Sequence, residues 1–198
     1  MGNRVITIAR EFGSNGRAIG KITAERVGVE CYDTRLITMA AEQGNLNADA
    51  LHTADEKKAS PLWYSLNSVS LPYSEAMMPV NDRLFQLQSN VIRQLADREP
   101  CIIVGRCADW VLEGYDKMIS VFIAADFDSR VQTVMARTGK KEKETIQWVK
   151  KVDRERSAYY NYYTEKRWGK QETYHICLNS SRLGVDACVD ILSSLFKK

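Results

Sequence analysis

The residues best placed to do chemistry lie near the start of the chain, in Gly13-Ser14-Asn15-Gly16-Arg17-Ala18. They follow an apolar, β-branched run, Val5-Ile6-Thr7-Ile8-Ala9. A helical pattern marked by Ile19, Ile22 and Val27 comes next and ends at Gly28. Strand, glycine-bearing loop and helix is the plan of a phosphate-binding loop, where backbone N–H groups of the loop and of the helix N-terminus face an anion. The loop does not spell the usual G-x-x-x-x-G-K-[ST]. In the ungapped register Gly16 takes the lysine position. Shifted by one, Arg17 takes it and Ala18 follows, so neither register supplies a Ser or Thr for a magnesium ion. A guanidinium has the donors to hold a phosphate, and Lys21 lies one helical turn beyond Arg17. The plain alternative is a strand–turn–helix with a surface arginine.

Three more clusters sit where a ligand could be met. Ile102-Ile103-Val104-Gly105-Arg106 is an apolar strand ending in Gly-Arg. Ligands of open α/β sheets bind beyond the carboxyl ends of strands, where Arg106 could take a phosphate in a bidentate contact. Tyr32-Asp33-Thr34-Arg35 stands at another strand end, and Asp33 alone reads as a cap for the next helix. In Lys150-Lys151-Val152-Asp153-Arg154-Glu155-Arg156, helical spacing puts Lys151 with Glu155 and Lys150 with Arg154. Such a run is ordinarily a solvated, salt-bridged helix. The sharper reading is a lid whose arginines close over a transferring phosphoryl group. Tyr159, Tyr160, Tyr162 and Tyr163 beside it could stack on nucleic-acid bases, or pack at helical period onto the body.

Composition narrows the classes. The chain has 198 residues, 44% hydrophobic and 27% charged, as a soluble domain of one core and a small lid would. No apolar run reaches the roughly 20 residues of a membrane span, and the opening strand leaves no room for a secretory signal. A cytoplasmic setting follows as the expectation. Cys31, Cys101, Cys107, Cys177 and Cys188 form no C-x-x-C pair and no zinc spacing, so reduced and mostly buried thiols are expected. Net charge is +3, yet residues 140–170 carry ten Lys/Arg against five Asp/Glu. A basic segment on a near-neutral body suggests a small anionic ligand rather than nucleic acid.

These groups must be positioned by alternating elements. Residues 5–9, 29–32, 101–104, 120–124 and 174–178 read as strands covered on both faces, being apolar throughout. Helical patterns span 17–27, 36–43, 82–98, 128–138 and 185–196, with Asn81 and Asp126 as candidate caps. This alternation predicts an α/β fold, a parallel sheet with helices on both faces. Residues 44–80 hold Pro61, Pro72, Pro79, Trp63-Tyr64 and Met77-Met78 without a clean period, and read as a helical or irregular excursion. The last two pairs are a candidate partner surface or pocket wall. Residues 140–170 read as one long helix or a helical hairpin. No Asn-Lys-x-Asp marks a guanine site, and no strand ends in an acidic Walker B residue, Asp126 lying two residues past its strand.

In order and spacing these runs resemble the cytidylate-kinase-like family of P-loop proteins. The matching runs are Ile8 to Gly20 through Arg10-Glu11-Phe12-Gly13, then Tyr32-Asp33, Val104-Gly105-Arg106-Cys107-Ala108, and Asp153-Arg154-Glu155-Arg156 with Tyr159-Tyr160. Tyr174-His175-Ile176-Cys177-Leu178-Asn179-Ser180 with Leu183-Gly184 closes the set. The resemblance covers nearly the whole chain. It implies one three-layer P-loop NTPase domain over 1–198, its five-stranded parallel sheet flanked by helices. Two helical insertions go with it, a monophosphate-binding excursion at 34–98 and a lid at 138–170. It implies transfer of the γ-phosphoryl of ATP, with Mg²⁺, to a nucleoside monophosphate such as CMP or dCMP, or to a related small metabolite. A kinase-like regulator that binds nucleotide without turnover is the alternative. By the same resemblance Gly13, Ser14, Asn15, Gly16, Arg17, Ala18 and Lys21 would hold the donor nucleotide. Asp33, Arg106, Lys151 and Glu155 would hold the acceptor, and Arg17, Arg154 and Arg156 would assist transfer. No protein-held metal is expected, and no nucleic-acid or membrane partner. The chain departs from true cytidylate kinases at the missing P-loop lysine, at Cys107 in place of an aspartate, at Arg35 in place of a glycine, and at Ala158 in place of a lid arginine.

Overall fold

All five apolar runs become strands of one parallel sheet in the computed structural model, which describes residues 4–33, 35–43 and 80–196. They are β1 (Val5–Arg10), β2 (Glu30–Tyr32), β3 (Cys101–Val104), β4 (Met118–Ala124) and β5 (Ile176–Asn179), in the spatial order β2-β3-β1-β4-β5. The order places β1 at the centre, with Ile8 opposite Val104 on one side and Val121 on the other. The carboxyl ends of β1 and β3, from which the glycine loop and Gly105-Arg106 emerge, are thereby brought side by side.

The described helices are α1 (Gly16–Val27), α2 (Arg35–Gln43), α3 (Val80–Arg98), α4 (Ala108–Val111), α5 (Phe127–Thr138), α6 (Glu142–Thr164), α7 (Ser180–Leu183) and α8 (Val185–Phe196). The apolar stripe of α1 and the near-continuous apolar face of α8 cover one side of the sheet. There Ile19, Cys188, Val189 and Leu192 join Ile6, Ile8, Ile102, Val121 and Ile123 in the main core. A second cluster forms between α5 and α6 from Val131, Val134 and Val149, with Phe12 and Trp148 against it. The phenyl ring of Phe12 meets the Trp148 indole at 5.2 Å, so the residue just before the glycine loop is anchored under α6. Burying a Val, Leu, Ile or Phe side chain contributes about 1.5–3 kcal/mol, which makes these two clusters the main determinants of where the loop sits.

Strands and helices fall where the periodicity puts them, within one or two residues at most ends. Of the two readings of the 140–170 segment, one long helix holds, over Glu142–Thr164, and a loop follows it. The two candidate caps differ. Asn81 lies inside α3 rather than capping it. Asp126 does occupy the N-cap position of α5, but its side chain makes no cap hydrogen bond. It accepts instead from Asn179 Nδ2 at 3.1 Å and pairs with Arg182 at 2.7 Å. The thiols are mostly buried, as expected. Cys101, Cys107 and Cys188 are buried, Cys31 is half-buried and Cys177 is exposed, because β2 and β5 are the edge strands.

The chain divides into two compact units, Met1–Asp33 with Ile92–Lys198, and Thr34–Val91. Within the second, Leu36 and Ala40 of α2 and Leu84, Phe85, Gln88 and Ser89 of α3 are buried. Trp63-Tyr64 and Met77-Met78 lie outside the described residues, as does Thr34. Among the described residues no helix is long and apolar enough to cross a membrane.

Candidate active site

The glycine loop turns sharply out of β1 by way of Gly13 (φ +84°) and Asn15 (φ +61°), and α1 begins at Gly16. Arg17 stands in the first turn of α1, directly after the last loop glycine, and Ala18 follows it. Ser14 is fully buried, and its hydroxyl donates to Glu11 O at 2.9 Å. From below, the Ser180 hydroxyl lies 2.7 Å from Ser14 O, so α7 braces the loop. Arg137 of α5 donates to Asn15 Oδ1. The loop is thus held by other parts of the chain before any ligand arrives.

Behind the loop stands an ionic brace that sequence reasoning missed. Arg130 of α5 is 7% exposed; it pairs with Asp153 of α6 and lies 3.4 Å from Glu11 Oε2. The same guanidinium donates to Ala125 O at 3.1 Å and to Phe12 O at 3.3 Å. Asp153 Oδ1 accepts the Phe12 N–H at 2.8 Å, and Glu11 Oε2 accepts the Ala125 N–H at 2.9 Å. Burial raises the Glu11 carboxyl above its ordinary range despite these donors. Helical spacing shows none of this, because each partner lies in a different element.

Arg10, the last residue of β1, was also missed as a site residue. Its side chain runs through a gap made by two glycines. A Cβ on Gly16 would lie 2.6 Å from Arg10 Cβ, and one on Gly105 would lie 2.1 Å from Arg10 Nη1. A Cβ at Gly16 would push the start of α1 away from the end of β1, and one at Gly105 would displace the guanidinium tip. Arg10 therefore bridges the glycine loop and the β3 turn. Burial, then the guanidinium groups of Arg156 and Arg106, hold its pKa well below the arginine value, with Asp33 acting the other way. No carboxylate among the described residues forms an ion pair with it. One signal was available: a lone cation ending an apolar strand, immediately ahead of a glycine loop.

The β3 turn is strained. Gly105, Arg106 and Cys107 all have positive φ, at +84°, +58° and +53°. A non-glycine residue held left-handed costs about 1–2 kcal/mol, and residues so held cluster at functional sites. The turn presents Arg106, half-buried, beside Arg10. Arg156 joins them from α6. It donates to Arg10 O at 3.0 Å and lies 5.5 Å over the Phe12 ring. Burial lowers its pKa to about 10, Asp153 offsetting this and Arg106 and Arg130 adding to it.

The remaining residues singled out from sequence divide in two. Arg17 is largely exposed and pairs with Asp33, the last residue of the first segment. Asp33 is 8% exposed, and neither of its oxygens has a hydrogen bond of good geometry among the described residues. The structure thus joins two sequence-distant candidates, Arg17 and Asp33, and gathers Arg106 and Arg156 around Arg10. Lys21, Lys151 and Arg154 are exposed, and Glu155 is half-buried. Among the described residues none of these four forms an ion pair with a member of the arginine group. Among the described residues no group of three acidic, His or Cys side chains could hold a metal ion.

The family model described as the cytidylate kinase-like family matches residues 5–182. The solved structure of an uncharacterized protein from Eubacterium ventriosum is similar over 99% of both chains, at 29% identity and a TM-score of 0.75. Shikimate kinase from Bacteroides thetaiotaomicron shares the fold at 16% identity and a TM-score of 0.55, over the whole of both chains. No protein of curated function matches. With the family match spanning most of its length, on a five-stranded P-loop kinase fold, the chain belongs to the cytidylate kinase-like family.

Proposed function

We propose that the protein transfers the γ-phosphoryl group of ATP to a nucleoside monophosphate of the CMP or dCMP kind, or to a related small phosphorylated metabolite. The observation that carries this reading is the convergence of Arg10, Arg106 and Arg156, with Arg17 and Asp33 adjacent, at the carboxyl ends of β1 and β3. An excess of guanidinium groups at a glycine loop calls for more than one phosphate.

In this reading the loop N–H groups of residues 13–17 hold the donor phosphates and Arg106 holds the acceptor phosphate. The P–O bond between the γ-phosphorus and the β–γ bridging oxygen breaks, an acceptor phosphate oxygen bonds to that phosphorus, and ADP leaves. With an ionised phosphate as acceptor no proton need move. The protein's part is positioning and charge neutralisation. The triphosphate fits the arginine group. A protein-held Mg²⁺ does not fit: Ala18 offers no hydroxyl, while Glu11 and Asp153 are committed to Arg130 and backbone N–H groups. Lys21 is assigned to the donor side, Asp33, Lys151 and Glu155 to the acceptor side. The lid over 138–170 brings Arg154 and Arg156.

The test is ADP release from Mg·ATP with CMP, dCMP, UMP, AMP and GMP offered in turn. Acceptor-dependent release that falls about 100-fold or more in Arg106→Ala supports the assignment. The second reading, a nucleotide-binding regulator, is favoured by Arg17 being engaged with Asp33 and by Ala18. It predicts ATP binding with no acceptor-dependent release.

A further inference from the structure

Arg17, in the first turn of α1, is exposed and paired with Asp33, whereas Arg10 is half-buried and has no ion-pair partner among the described residues. We propose that Arg10, not Arg17, supplies the fixed positive charge of the phosphate site, standing between the phosphates held by the glycine loop and the group held at Gly105-Arg106.

Three features of the geometry carry this. First, the position of Arg10 is built: Gly16 lets the end of β1 lie close against the start of α1, and Gly105 leaves the space that the Arg10 guanidinium occupies. Second, it touches both halves of the site, its Cβ against the start of α1 and its Nη1 against the β3 turn. Third, its backbone carbonyl accepts from Arg156, which places a second guanidinium at the same strand end. A half-buried guanidinium set among like charges is costly without an anion. The polyphosphate meets that cost. Arg10 keeps its proton throughout, and its N–H groups donate to phosphate oxygens.

The inference rests on the phosphate-site reading above, and the experiment separates the two. Binding of inorganic pyrophosphate and of ATP is measured by calorimetry on the whole chain, with melting curves alongside, for the wild type, Arg10→Met, Arg10→Lys and Arg17→Met. Loss of one charge-assisted contact predicts about 10- to 100-fold weaker binding in Arg10→Met. Arg17→Met is expected to lose only a few-fold, and Arg10→Lys to keep part of the affinity. The ligand-free melting temperature of Arg10→Met should rise, because a repelled cation has been removed, while its upward shift with pyrophosphate disappears. A purely structural arginine would give the opposite, a lower ligand-free melting point. The proposal is overturned if Arg10→Met binds as the wild type does, if Arg17→Met loses as much or more, or if Arg10→Met melts lower or does not fold while Arg10→Lys binds normally. If the wild type itself binds neither ligand, the phosphate-site reading fails, and this inference with it.

Discussion

Arg130 and Asp153 form a nearly buried ion pair between α5 and α6, and the other oxygen of that carboxylate holds the Phe12 N–H, one residue ahead of the glycine loop. One side chain thus fixes both the packing of two helices and the entry to the phosphate site. Removing it strands a buried guanidinium and leaves Glu11 as its remaining acidic neighbour. Asp153→Ala should therefore cost about 3–5 kcal/mol, read as a lowered urea midpoint. Asp153→Asn, which can still accept from Phe12, should cost less. An unchanged midpoint in Asp153→Ala would show that Glu11 alone suffices for Arg130.

The strained β3 turn gives a second prediction. Gly105→Ala adds a Cβ 2.1 Å from Arg10 Nη1 at a φ of +84°. The Arg10 guanidinium must shift from its place beside the β3 turn, and the backbone is strained as well. Phosphate affinity should fall by about ten-fold or more, accompanied by a lower melting temperature. Gly114→Ala is the control, since that glycine also has positive φ (+86°) but its Cβ would meet open space. It should melt lower and keep its affinity. Equal affinity losses in both variants would mean that strain, rather than displacement of Arg10, is responsible.

Much of this architecture can be read from the chain because its signals are local. An all-apolar run such as Cys101–Val104 admits little besides a covered strand, and the stripe of α1 with Gly28 behind it fixes a helix and its end. The site was legible only where a residue is announced by its neighbour, as Arg106 is by Gly105. Arg10, Arg130 and Asp153 were not legible, because their roles depend on partners far away in sequence. Arg10 needs Gly105, and Asp153 needs Phe12. Arg154 and Arg156 look alike in sequence; only the rotation of α6 tells that Arg156 turns inward and Arg154 outward.

Ala18 is the place where a hydroxyl would give the site a metal ligand. It follows Arg17 in the first turn of α1 and is half-buried, so Ser fits with little strain. Ala18→Ser should sharpen the Mg²⁺ dependence of ATP binding, lowering the half-saturating Mg²⁺ concentration. A titration unchanged from the wild type would place the metal beyond reach of the first turn of α1.

The pH dependence of stability should carry the mark of Asp109. Its carboxylate accepts from Tyr160 at 2.5 Å, yet burial raises its pKa above the ordinary 3.8. Between the unfolded and folded values the native state binds more protons than the unfolded chain, so stability falls as pH rises through that window. The contribution is fully present below the unfolded value and is lost above the folded one. Burial also pushes the Tyr160 hydroxyl well up, so it stays a donor throughout. Melting temperatures measured from pH 4 to pH 7 should therefore show a component that declines with pH in the wild type and is absent in Asp109→Asn. Glu11→Gln should remove a separate component of the same sign, because burial raises that carboxyl too. If Asp109→Asn leaves the profile unchanged, the carboxylate is solvated well enough by Tyr160 and the backbone to titrate as it does in the unfolded chain.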